Sequence, residues 1–181
     1  SKSLNKGINL SNSDLIARLD ADDFSSPKRL EKQVTFMEKH PDIVLCGSRW
    51  LELVGEKLSK QIVPFVETDQ AIKKSMSLFN PFSHSGVIFR KKTFITAGGY
   101  SQRFKYSQDY DLWLRMLAFG KTLILKEELA VVRMYEQSES HKNARKQKLE
   151  GLQIRWDAFQ QFGGNPRQAF YFFFKTLMGL I

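Results

Sequence analysis

The chain holds one cysteine, Cys46, with five prolines and three histidines, in 181 residues. A single thiol excludes an intrachain disulfide framework and a thiolate metal cluster, and it suits a reducing, cytoplasmic compartment. No unbroken run of about 18 apolar residues is present, so no ordinary membrane-spanning helix is expected. The opening stretch SKSLNKGINLSNSD lacks the apolar segment of a secretory signal. It reads instead as the continuation of a longer chain, with a helix end, a turn and then a strand. Internal repeats and low-complexity segments are missing as well. Acidic residues are in deficit, 19 against 28 Lys and Arg, for a formal net charge of +9.

What is there suits a globular domain. Hydrophobic residues make up 42% and charged residues 26%, enough for one proper core. Aromatics reach 13%, fifteen of them Phe. The basic balance favours anionic partners: nucleic acid, lipid headgroups or phosphorylated small molecules. The cations form no nucleic-acid motif, and acids cluster at the expected ligand face, so no nucleic-acid partner is expected.

Strand and helix patterns alternate, which predicts an α/β layered sheet. A helix ends at Leu10, and Leu15–Leu19 reads as an interior strand. Pro27 opens a helix with Leu30, Val34 and Met37 turned inward. Ile43–Val54 is a long buried strand, and Ile62–Val66 a weaker one. Thr68 caps a helix to about Leu78. Val87–Phe89 is a strand, and Lys91–Ala97 a short helix stopped by Gly98-Gly99. Asp109–Phe119 is a helix with Leu112, Met116 and Phe119 on one face. Thr122–Leu125 and Leu129–Tyr135 are strands. A long basic helix runs from His141 to Phe162, and Gly163-Gly164-Asn165-Pro166 separates it from an apolar terminal helix.

The stretch RLDADDF, Arg18 to Phe24, crowds Asp20, Asp22 and Asp23 directly after an apolar run. In an extended segment, positions i and i+2 face the same side, so Asp20 and Asp22 are candidates to converge on one cation. Mg²⁺ or Mn²⁺ would suit, shared with substrate phosphate oxygens. The alternative is N-capping of the following helix. In YSQDYDLWLRM, Asp109 and Asp111 sit at a second loop-to-helix junction. Asp109 is a candidate general base, with helix capping the plainer alternative. His84, between two serines, either contacts phosphate or serves the fold.

Together and in this order, IARLDADDFSSPKRLEKQVTFMEKHPDIVLCGS, PFSHSGVIFRKKTFITAGGY and SQDYDLWLRMLAFGK resemble the inverting family-2 glycosyltransferases of the GT-A fold. The likeness runs from about Asn5 to about Ser140 and is to bacterial enzymes that build cell-surface polysaccharide. It implies a partial GT-A fold, a mixed sheet flanked by helices, over residues 1–140, with a helical extension over 141–181. It also implies a nucleotide-sugar donor (a UDP-sugar above all) and a saccharide or lipid-linked acceptor. Asp20 and Asp22 match the family's Asp-x-Asp motif, which holds Mn²⁺ or Mg²⁺ on the donor diphosphate. His84 and Ser85 fall in the segment before the acceptor-side strand, and Asp109 falls on the family's catalytic base.

The sequence departs from the pattern in three places. Gln108 stands where relatives have Glu before the base. Tyr135 stands where a late His is frequent, and His141 lies six residues further on. Gln153-Ile154-Arg155-Trp156 is one residue short of the processive Gln-x-x-Arg-Trp motif. The nucleoside-binding strand-helix-strand half is also expected upstream of Ser1. Without it, the fragment is expected to be weak or inactive and to bare a sheet edge open to pairing. A non-catalytic scaffold of the same fold is the alternative.

The final AFYFFFKTLMGLI is almost wholly apolar but too short to span a bilayer. Three uses are open: packing on the body, homodimerisation, or lying at the inner face of a membrane beside the basic helix.

Overall fold

A computed structural model describes residues 1–135 and 142–178. Helix α1 (Lys2–Leu10) leads into strand β1 (Leu15–Ala17), a turn, and β2 (Phe24–Ser25). Then come α2 (Arg29–Lys39), β3 (Ile43–Val54), β4 (Lys57–Lys60) and α3 (Asp69–Ser75). A single 3₁₀ turn (His84–Gly86) precedes β5 (Ile88–Arg90), α4 (Lys91–Thr96) and α5 (Gln108–Met116). Strand β6 (Lys121–Met134) and helices α6 (Ala144–Phe162) and α7 (Pro166–Met178) complete the chain. The expected helix start at His141 lies outside the described residues.

The strands form one mixed sheet in the order β1-β5-β3-β6-β2, with β4 also on β3. Parallel pairing of β3 and β6 is its spine, running from Ile43↔Lys121 to Val54↔Met134 with two irregularities near Arg49. These let β6 pass as one strand where the sequence pattern suggested two, because Lys126-Glu127-Glu128 falls at the irregularity. Strand β1 pairs only with β5, so among the described residues it is an edge rather than the interior strand expected.

The main core lies beneath α3, α5 and α6, centred on Trp113, Leu112, Met116, Phe89, Ile72 and Ile154. Met37, Ile43, Cys46 and Ile88 form a smaller cluster under α2. Thr68 caps α3 by accepting from the Ala71 amide, worth about 1 kcal/mol. Gly98 and Gly99, at φ of +82° and +65°, end the α4 segment in a conformation that side chains resist.

Three further expectations fail. Residues 62–66 form no strand, and Ile62 is 85% exposed. The Gln61 side chain takes the place of a ladder there, accepting from the Trp50 amide and donating to the Val63 carbonyl. On α2 the buried face is Arg29, Gln33 and Met37, while Leu30 faces solvent. On α5 Leu112 and Met116 are buried, but Phe119 lies beyond the helix end and is exposed.

Candidate active site

The acidic stretch is a turn. The Asp23 amide donates to the Asp20 carbonyl at 3.2 Å, and β2 follows at once. A turn spreads its side chains, so the Asp20 and Asp22 carboxylates hold different partners here. Each carboxylate has its own donors, which explains how the crowding is tolerated. Asp20 accepts from Arg18 at 2.5 Å and from His84 Nδ1 at 3.2 Å. Asp22, exposed, accepts from the Tyr135 hydroxyl at 3.1 Å. Asp23 accepts from Ser85 Oγ at 2.5 Å and from the Arg133 amide at 2.9 Å. None of them caps α2, whose N-cap is Lys28.

Burial raises the Asp20 carboxyl, but the hydrogen bond from His84 and the Arg18 charge outweigh it and hold the group below its ordinary range. Asp23 goes the other way: burial outweighs its hydrogen bonds, and neighbouring Asp22 and Asp20 add to the rise.

The scaffold under this turn carries no motif or apolar spacing in the sequence. Arg29, 1% exposed, donates to the Ser85 carbonyl at 2.5 Å and to the Arg18 carbonyl at 2.6 Å. Its Nε donates to Gln33, which itself donates to the Gly86 carbonyl at 2.9 Å. A buried cation thus ties the end of β1 to the His84–Gly86 turn. Ser85 Oγ completes the junction by accepting from the Asp20 amide at 2.9 Å.

Asp109 opens α5, and its Oδ2 accepts from Asn80 Nδ2 at 3.1 Å. Asp111, two residues on, pairs with Arg115 at 2.6 Å. The loop before α5 is held by Glu150 of α6, which accepts from the amides of Lys105, Tyr106 and Ser107 at 2.8–3.0 Å. No local sequence pattern signals that contact, because the carboxylate comes from a distant helix.

Asp20, His84 and Asp109 line one cavity of about 450 Å³, with Arg18, Lys105 and Gln108. Asp22 lies on a separate cavity of about 370 Å³ with Gly55, Arg133 and Tyr135. Among the described residues no three His, Cys, Asp or Glu side chains converge as a ready metal site. The donors still suit a hard cation in kind, since such an ion takes one or two carboxylates and completes its shell with phosphate oxygens and water. Asp22 has one oxygen uncommitted, whereas Asp20 would have to exchange Arg18 for the ion.

The profile described as "Glycosyl transferase family 2" matches residues 1–111. The amylovoran biosynthesis glycosyltransferase AmsE of Erwinia amylovora is 40% identical over 121 residues, 66% of this chain and 44% of that protein. An Escherichia coli enzyme named UDP-Gal:alpha-D-GlcNAc-diphosphoundecaprenol beta-1,3-galactosyltransferase is 35% identical over 117 residues, 65% of this chain and 42% of its own. An uncharacterized glycosyltransferase of Methanocaldococcus jannaschii is 32% identical over 98% of this chain and 63% of its own. The chain therefore spans roughly half the length of these relatives. The crystal structure of Staphylococcus aureus TarS residues 1–349 superposes with a TM-score of 0.63 at 9% identity, over 97% of this chain and 49% of that one. That likeness gives the GT-A type of fold. With most of its sheet and the whole acidic turn inside the matched segment, the chain belongs to glycosyl transferase family 2.

Proposed function

We propose that the protein carrying this chain moves a sugar from a nucleotide-diphospho-sugar, a UDP-sugar above all, to a hydroxyl of a saccharide or lipid-linked acceptor. The transfer inverts the anomeric carbon and serves cell-envelope polysaccharide synthesis. The observation that carries the reading is the single cavity lined by Asp20, His84 and Asp109. The name of the E. coli relative, with its UDP-Gal donor and diphosphoundecaprenol-linked acceptor, points to the same substrate classes.

In this reading Asp109, oriented by Asn80, takes the proton of the acceptor hydroxyl as that oxygen attacks the anomeric carbon opposite the diphosphate. Arg18 and Lys105 share the cavity and meet the charge on the leaving diphosphate, with His84 beside them holding Arg18 through Nε2. Asp22, and Asp20 once it exchanges Arg18 for the ion, would hold Mn²⁺ or Mg²⁺, which when bound would supply Lewis-acid neutralisation of the leaving group. Residues 1–140 are the catalytic part and 141–181 a helical extension. A non-catalytic scaffold is the second reading, favoured by Gln108 beside the base and by the Arg18 cation already seated on Asp20.

The test is transfer from labelled UDP-sugars with Mn²⁺ by the protein at the length of its relatives. Asp109→Asn should lower kcat by about 10²–10⁴. Full activity in that variant would remove Asp109 as the base. Absence of transfer from every donor would favour the scaffold.

A further inference from the structure

Helix α7 is exposed along nearly its whole length. Phe170 is 72% exposed, Tyr171 59% and Phe174 54%, with Phe172, Phe173 and Met178 also open. Among the described residues its side-chain hydrogen bond to the body is Arg155 of α6 donating to Thr176 at 3.1 Å. Between the two helices lies an apolar cavity of about 450 Å³, lined by Trp156, Phe159, Phe170 and Phe173 among others. So much exposed aromatic surface marks an interaction site.

Charge identifies the occupant. Helix α7 has no Asp or Glu and carries exposed Arg167 and Lys175. The acids of α6 are Glu150 and Asp157, and both are engaged by the loop before α5. Glu150 takes three amides there, and Asp157 lies 3.7 Å from Arg103. The α7 side therefore presents aromatics and cations together. A second copy of the chain would bring like charges face to face, whereas an anionic bilayer surface satisfies both features. No helix among the described residues is long and apolar enough to cross a membrane. At about 20 Å, α7 has the length to lie in the interface, its rings among the acyl chains and its cations at the headgroups.

We infer that α7, with the adjoining face of α6, is a docking surface for an anionic membrane. The test needs no donor or acceptor, so its outcome is independent of the catalytic reading. The full chain is sedimented with phosphatidylcholine vesicles with and without phosphatidylglycerol. Binding is expected to the anionic vesicles, with salt sensitivity. Arg167→Gln with Lys175→Gln should weaken partitioning by about thirtyfold. Phe170→Ser with Phe174→Ser should abolish it, while the urea midpoint stays nearly unchanged because both side chains are more than half exposed. Trp156, 56% exposed beside the cavity, should be quenched by brominated lipid. Absence of wild-type binding to anionic vesicles would overturn the inference. So would equal binding by the variants, or a concentration-dependent dimer that the Phe variants abolish with no lipid binding.

Discussion

His84 and Asp20 meet through Nδ1 and Oδ2 at 3.2 Å, while Nε2 of the same ring accepts from Arg18 Nε at 3.1 Å. The pattern assigns the proton on Nδ1, because Nε2 faces an obligate donor. The ring also lies edge-on to Tyr100, at 5.8 Å between centroids. A histidine held on three sides has one orientation, and the acidic turn inherits it.

That orientation rests on Arg29. Replacing it with Met leaves the Ser85 and Arg18 carbonyls without their donor in a buried place. We expect a loss of about 3 kcal/mol, from unsatisfied acceptors at roughly 1–3 kcal/mol each. Urea unfolding with an unchanged slope measures it. A shift under about 0.5 kcal/mol would mean that water or a relaxed turn replaces the guanidinium.

Asn80 bridges the Phe82 amide and Asp109, accepting from one at 3.1 Å and donating to the other at 3.1 Å. If Asp109 is the base, Asn80→Ala should lower kcat about tenfold and leave the donor KM nearly unchanged. An effect confined to KM would assign Asn80 to substrate binding.

Gly47 sits where a Cβ would lie 2.8 Å from the Phe82 ring and 3.1 Å from Ile124. Phe82 is 4% exposed and cannot swing away. Gly47→Ala is expected to destabilise by about 1–3 kcal/mol, as overpacking does. A thermal melt decides it, and an unchanged midpoint would show that the core gives way there.

Burial pushes the Cys46 thiol from its ordinary 9.0 up to about 12, with Glu127 adding slightly. Above about pH 9 the unfolded chain releases that proton and the folded chain keeps it, so stability is full below this value and falls as pH rises. The slope is at most about 1.4 kcal/mol per pH unit. Tyr100 and Tyr110, also pushed up by burial, act the same way only above about pH 10. Comparing urea midpoints at about pH 8 and pH 10 should give a smaller drop in Cys46→Ala than in the parent. Equal drops would place the alkaline sensitivity elsewhere.

Much of this fold was legible. Ile43–Val54 is apolar enough to be a buried strand on any reading, and Thr68 and Gly98-Gly99 mark element ends by side-chain chemistry alone. Strand β4, Lys57–Lys60, was hidden because all four residues are exposed. An outer strand has no need of an apolar face, and lysines protect it. The inward face of α2 starts one position earlier than apolar spacing implies, because that spacing assumes an oily neighbour. Here the neighbours are backbone carbonyls, and Arg29 and Gln33 answer them. The fan of Asp20, Asp22 and Asp23 was lost for a similar reason. Period-two reasoning holds for extended backbone, and this backbone turns.

The parallel spine has a kinetic consequence. Thr122 donates to the Leu45 carbonyl, its partner 77 residues earlier in the chain. All of β4, α3, β5, α4 and α5 must emerge and be looped out before β3 finds β6. Such non-local pairing places folding toward the slow end for a domain of this size. During that interval β3, the longest apolar segment of the sheet, waits with an open edge, and chaperone demand should concentrate there.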